Sequence, residues 1–258
     1  MNLIDTHTHL YLNQFKDDLD AVINDAIKNQ ITKFLLPNIN SDTTESMMRI
    51  CKRYPKNCYP MMGIHPCDVK EESIENEISH VTEMIEKYKF IAIGEIGIDL
   101  YWDKTTLDLQ KDAFRMQIKI AKKHNLPIVI HVRESFNEAI DIVEELNDES
   151  LSGVFHCFTG NVQEAQRIID LKGFYLGIGG VVTFKNSGLD ETIKNIDASH
   201  LLLETDAPFL APTPFRGKRN ESKYIKNIAE KLSEIHNLSL KDIASITTQN
   251  AMTLFNLK

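Results

Sequence analysis

Leu3-Ile4-Asp5-Thr6-His7-Thr8-His9 stands near the start of the chain: a short apolar run, then two histidines one residue apart. An apolar run of this length reads as a buried strand. Residues i and i+2 of an extended segment point to the same side, so His7 and His9 can both reach one ion from the end of that strand. The pattern then repeats. His65 follows Tyr59–Met62, within Gly63-Ile64-His65-Pro66. Glu95 follows Phe90–Ile93, His131 follows Ile128–Ile130, His156 follows Val154–Phe155, and Asp206 follows Leu201–Leu203. Two more apolar runs, Phe34–Leu36 and Phe174–Ile178, bring the strand candidates to eight.

These runs are continuously apolar rather than alternating, as strands of a parallel sheet covered by helices are. The segments between them carry helical spacing: Leu19, Val22, Ile23, Ala26 and Ile27; Phe136, Ala139, Ile140, Val143 and Leu146; Val162, Ala165, Ile168 and Ile169. Each stripe is the core face of an outer helix. Eight strands alternating with helices in 258 residues predict an α/β fold, a (β/α)8 TIM-like barrel forming a single domain over 1–258. No G-x-G-x-x-G follows the first strand, which excludes the dinucleotide-binding alternative. The segment from Ser222 onward carries further helices that complete the outer layer.

The barrel prediction gives the strand-end residues a common location, because the active face of such a barrel is formed by the C-terminal ends of its strands. His80, His124, His200 and His236 stand in polar or helical contexts and read as surface residues. Of the remaining five histidines, His7, His9, His131 and His156 together with the two acids exceed the three protein ligands of a usual catalytic zinc. Two divalent ions are therefore expected, with Glu95 bridging, His7, His9 and Asp206 on one side and His131 and His156 on the other. Ions ~3.5–4 Å apart can clamp both oxygens of a displacement and activate a shared water, whose proton Asp206 would accept. Imidazole-rich ligation suits zinc, manganese, nickel or iron better than magnesium. Asp5 and Asp99 are candidates for orienting ligand imidazoles, Asp99 reading more readily as an ordinary strand-end polar group.

Composition sets the boundaries. A net charge of -8 is not the footprint of a DNA-coating protein, so a polyanionic substrate would have to be held locally, by metals and a few arginines. Arg216-Gly217-Lys218-Arg219-Asn220 is the candidate, in a segment where Pro208, Pro212 and Pro214 forbid regular structure. Four scattered cysteines without a C-x-x-C pair read as reduced thiols. The start of the chain lacks the features of a signal peptide, and no apolar run approaches the ~20 residues of a membrane span. A cytoplasmic enzyme is expected, a monomer by default, with no obligate protein partner and no membrane association.

Taken together, Asp5-Thr6-His7-Thr8-His9, Gly63-Ile64-His65-Pro66, Gly94-Glu95-Ile96-Gly97-Ile98-Asp99, Ile130-His131, His156-Cys157-Phe158-Thr159-Gly160, Glu204-Thr205-Asp206-Ala207-Pro208 and Arg216–Asn220 resemble the TatD-like family of metal-dependent deoxyribonucleases, within the amidohydrolase superfamily. The resemblance implies a TIM-like barrel and metal ligation by His7, His9, Glu95, His131, His156 and Asp206. It implies phosphodiester hydrolysis of DNA, 3′→5′ on single strands, with Glu95 and Asp206 catalytic and with magnesium as a further candidate ion. It places His65 on the scissile phosphate and Arg216 and Arg219 on the nucleic-acid backbone. Cys67 and Ser222 stand where relatives often carry histidine and proline. The alternatives are an amidohydrolase acting on a small amide, lactone or phosphate ester, and a metal-binding scaffold without turnover. Glu95 in place of a carboxylated lysine separates this chain from several such amidohydrolases.

Overall fold

The computed structural model describes residues 2–258; Met1, the first residue of the predicted 1–258 span, lies outside them. The chain alternates β1 (Leu3–Asp5), α1 (Leu19–Lys28), β2 (Ile31–Pro37), α2 (Ser41–Arg53), β3 (Cys58–Met61), α3 (Ile74–Lys87), β4 (Ile93–Asp99), α4 (Leu107–His124), β5 (Ile128–Arg133), α5 (Phe136–Leu146), β6 (Gly153–Phe155), α6 (Val162–Asp170), β7 (Phe174–Ile178), α7 (Leu189–Ile193) and β8 (Leu201–Leu203), and ends with α8 (Ile225–His236) and α9 (Leu240–Leu254). Every strand pairing is parallel, in sequential order β1-β2-β3 and β4-β5-β6-β7-β8. Two single parallel bridges join the groups, Met62 to Ile93 and Thr8 to Ala207, and complete the ring of a TIM-like barrel. At the second seam the Thr6 amide donates to Leu203 O and the Asp206 amide to His7 O.

The three predicted stripes lie on α1, α5 and α6, with Val22, Ile23 and Ala26, then Ala139, Ile140 and Val143, then Ala165 and Ile168 buried. Local chemistry fixes the helix starts: Asn40 with Thr43, and Asn161 with Glu164, form reciprocal capping boxes at α2 and α6. A second apolar cluster takes Ile4, Leu35, Met61, Ala92, Val129, Val154 and Leu202 from the barrel strands and their margins, and Ala251, Leu254, Phe255 and Leu257 from the chain's end. Thr248 Oγ1 donates to Asn2 O, and Lys33 Nζ to Lys258 O, so this tail lies under the strands' N-terminal ends. The C-terminal segment thus seals the barrel mouth opposite the strand ends that carry the histidines. No helix among the described residues is long and apolar enough to cross a membrane. The four cysteines are free thiols.

One strand is displaced from its predicted position. Phe90–Ile93 is mostly the approach to β4, which runs on to Asp99 and is buried throughout. Gly94, Glu95, Gly97 and Asp99 give that stretch the look of a turn, yet its parallel pairing with β5 continues through Gly97–His131 and Asp99–Arg133. Glu95 and His131 therefore lie within strands rather than after them. Gly97 allows this at φ 141, where a Cβ would meet His131 O at 2.1 Å.

Candidate metal centre

At the C-terminal mouth the strand ends bring together all six residues expected as ligands, and His65 with them. Glu95 is the hub and only 2% exposed. Its Oε2 faces His7 Nε2 at 3.2 Å and His9 Nε2 at 3.5 Å. Its Oε1 faces His131 Nδ1 and His156 Nε2, each at 2.8 Å, and His65 Nε2 at 3.5 Å. Asp206 Oδ1 approaches the first side, 3.4 Å from His9 Nε2 and 3.8 Å from His7 Nε2. Asp206 adopts φ 56, a left-handed conformation that short polar side chains tolerate. Three sets of donor atoms converge closely enough to hold a cation: His7, His9 and Glu95; His7, His156 and Asp206; and His65, Glu95 and His131.

The outer nitrogens explain which lone pairs face inward. Tyr11 Oη donates to Pro37 O at 2.5 Å, so it accepts from His9 Nδ1–H at 2.8 Å and leaves His9 Nε2 bare. His131 Nε2–H donates to Asp99 Oδ2 at 2.9 Å, which turns Nδ1 inward to Glu95. His156 Nδ1 lies 3.4 Å from Glu204 Oε1. The inward nitrogens crowd together: His7 Nε2 and His9 Nε2 stand 3.3 Å apart, as do His131 Nδ1 and His156 Nε2. Imidazole nitrogens converging on a buried carboxylate form a donor set that fits divalent cations.

Electrostatics follow the same geometry. Burial opposes the charge on Glu95, yet the fields of His156, His7 and His65 hold its carboxyl well below the usual range. Burial also works against a charged His156, but Glu95 and Glu204 raise it well above an ordinary histidine. His7, deeply buried and beside His156, is lowered. For Asp99, burial is outweighed by the His131 hydrogen bond and charge, which bring it down to about 2.

The two acids proposed to orient imidazoles divide differently from expectation. Asp99, read as an ordinary polar group, is the one bonded to a histidine. Asp5 touches none: it accepts from Thr205 N at 2.9 Å and Thr205 Oγ1 at 2.6 Å, tying the β1–β8 seam, and burial pushes it up to about 7. Tyr11, Glu204, Gln110 and Gln117 were not singled out from the sequence. Gln117 Oε1 accepts from Ile64 N beside His65, and Gln110 Oε1 from Asp99 N, each at 2.8 Å. Their signal was a polar pair seven residues apart on the buried face of α4, among Ala113, Phe114, Ile118 and Ala121. Tyr11 continues the spacing of His7 and His9.

The arginine loop is placed unevenly. Arg219 forks onto both oxygens of Asp18 at 2.9 and 2.7 Å, onto Gln14 O at 2.6 Å and onto Glu221 at 3.0 Å. Arg216 is exposed, lies over the Phe184 ring at 3.8 Å, and has no carboxylate partner among the described residues. Neither is ion-paired with the histidine cluster. Of the aromatic residues considered for base stacking, Phe158 is core, whereas Tyr101, Trp102 and Phe209 are exposed.

Asp99→Asn is expected to weaken binding of a divalent ion about 10- to 100-fold, since a partner that fixes a ligand imidazole is worth that much. Calorimetric titration with manganese or zinc measures it. An affinity equal to wild type would show that the His131 ring is held by something else.

A parallel barrel with five imidazoles and two carboxylates converging at its C-terminal mouth is the framework of a metal-dependent hydrolase. The sequence profile of the family described as TatD related DNase matches residues 4–256, and the chain belongs to that family. It is 40% identical over 256 residues to an uncharacterized metal-dependent hydrolase, YabD, of Bacillus subtilis, covering 99% of each protein. It is 31% identical over 261 residues to the 3′-5′ ssDNA/RNA exonuclease TatD of Salmonella typhimurium, again covering 99% of each. Among solved structures, the TatD homologue YJJV of Escherichia coli superimposes with a TM-score of 0.93 at 27% identity, over 99% of this chain and 98% of that one.

Proposed function

We propose that this chain is a cytoplasmic nuclease that hydrolyses phosphodiester bonds in single-stranded nucleic acid, DNA foremost, from the 3′ end, using two divalent ions. One observation carries the reading: the two oxygens of Glu95 face separate groups of imidazoles, the arrangement a bridging carboxylate takes between paired ions. The name of the Salmonella relative supports the choice of substrate and polarity.

His7, His9 and Asp206 would hold one ion and His131 and His156 the other, with Glu95 available to both. Zinc, manganese and magnesium are the candidates. When bound, the ions supply positive charge that polarises phosphoryl oxygens and acidifies water. The chain's own residues do the rest. Asp206, at the open edge of the cluster and 14% exposed at its side chain, orients the attacking water and takes its proton at Oδ. His65, 16% exposed, meets a non-bridging phosphate oxygen from the other edge. Asp99, Tyr11 and Glu204 keep the imidazoles from turning. Arg216 is the loop arginine open to a phosphate. Arg219 instead ties the loop after β8 to Asp18 in the loop after β1.

The test is degradation of end-labelled single-stranded DNA by metal-stripped protein with magnesium, manganese or zinc restored. Shortening that needs metal, progresses from the 3′ end and falls at least about 100-fold in Asp206→Asn is expected. No cleavage with any ion would overturn the nuclease reading and turn the search to small amides, lactones and phosphate esters.

A further inference from the structure

The loop after β4 carries a feature that the metal chemistry does not use. Trp102 is 72% exposed and Tyr101 49%, adjacent in sequence and packed edge to face at 4.9 Å between ring centroids. Leaving such large aromatic surfaces in water is unfavourable, and a polar rim around them marks a recognition site. Arg133, the last residue of β5, lies 3.6 Å over the Tyr101 ring and 5.6 Å from the Trp102 ring. It stands two residues beyond His131, on the same side of an extended strand.

Arg133 is also uncommitted. Of the seven arginines in the sequence, Arg49, Arg53, Arg115, Arg167 and Arg219 are ion-paired. Arg133 and Arg216 have no carboxylate partner among the described residues, and each rests on an aromatic ring. A guanidinium flat on a ring keeps its N–H edge for a phosphate.

Asp99 couples this group to the metal centre. Its Oδ2 accepts from His131, and its Oδ1 accepts from the Tyr101 amide at 3.0 Å and the Trp102 amide at 3.4 Å. One carboxylate therefore sets both a ligand imidazole and the aromatic pair. Beside Trp102 a cavity of about 120 Å³ opens between the loops after β3 and β4, lined by Pro66, Cys67, Lys70, Asp99 and Thr106 among others. A cavity of about 150 Å³ accommodates a benzene ring. This one, at about 120 Å³, is smaller, so a ring would lie across its mouth on Trp102 with only an edge inside.

The geometry points to a stacking subsite in which Trp102 takes an unpaired nucleobase over this cavity while Arg133, backed by Tyr101, holds the adjoining phosphate. The inference rests on the nucleic-acid reading above and deepens it. A base inside a duplex has both faces covered and cannot reach the ring, so the subsite makes the enzyme select single strands.

Trp102 is the sole tryptophan, so the protein reports on its own subsite. The experiment titrates the metal-loaded full chain with a dye-labelled single-stranded oligonucleotide whose phosphorothioate linkages resist hydrolysis. Tryptophan emission and probe polarisation are followed together, with the duplex of the same sequence as comparison. Saturable quenching by the single strand and none by the duplex is expected. Trp102→Ala should weaken the polarisation Kd by about 5- to 150-fold, and Trp102→Phe by less. Arg133→Ala should flatten the log–log salt dependence by about 0.7. Binding seen by polarisation with unchanged tryptophan emission, or with Trp102→Ala binding as wild type, would overturn the subsite and leave the nuclease reading intact. No binding, together with no cleavage in the degradation assay, would overturn that reading and this one with it. Unaltered melting of the variants separates lost contact from lost fold.

Discussion

On the nuclease reading proposed above, Glu95→Gln should reduce phosphodiester hydrolysis by at least about 10³-fold. Losing a single donor to transition-state charge already costs up to about 10³-fold. Glu95 does more: among the described residues it alone brings a carboxylate within 3.5 Å of all five of His7, His9, His65, His131 and His156. Glutamine keeps the shape and one acceptor oxygen but presents an N–H to one group of imidazoles and removes the negative charge from both. Metal retained after dialysis should fall along with the rate. Hydrolysis of bis(p-nitrophenyl) phosphate and elemental analysis measure the two. A rate within tenfold of wild type, with metal content unchanged, would remove Glu95 from the centre of the mechanism.

The largest effect on stability is expected at the other end of the barrel. Phe255 is 2% exposed and belongs to the cluster that joins the chain's end to Ile4, Leu35, Met61 and Val129. Truncating a buried phenylalanine costs about 3–5 kcal/mol, part lost transfer energy and part cavity. For a chain of this size Phe255→Ala should lower Tm by about 6–20 °C. The measurement belongs on metal-free protein, because a bound ion raises Tm by mass action. A loss below about 1 kcal/mol would mean that the tail does not seal the barrel.

The sequence disclosed the barrel because its strands are buried on both faces and interrupted by helices of regular spacing. It was least informative where function intrudes on the strand pattern. Glycines and acids in β4 carry the hub carboxylate and look like a turn. In α2, Thr44, Met47, Ile50 and Cys51 are buried in an otherwise polar helix, so no broad apolar stripe announces it. Strand ends placed the candidate ligands, since a histidine after an apolar run has a defined position in a barrel. Partners distant in sequence were beyond reach. The positive run Arg216–Arg219 gives no hint that Asp18, some two hundred positions earlier, claims one of its guanidinium groups. Nor does Asp5 reveal that its oxygens face Thr205 rather than an imidazole.

The seam between the first and last strands has a consequence for biosynthesis. His7 leaves the ribosome about two hundred residues ahead of Asp206 and of Ala207, the bridge partner of Thr8. During most of translation the N-terminal histidines have no opposite wall, and a captured ion would have only a loose, partial set of donors. Hydrolytic competence therefore arrives late and abruptly, when ring closure is possible. A chain truncated by premature termination before Leu201 would lack both β8 and Asp206, and an abortive product of this enzyme would be inert rather than partly active.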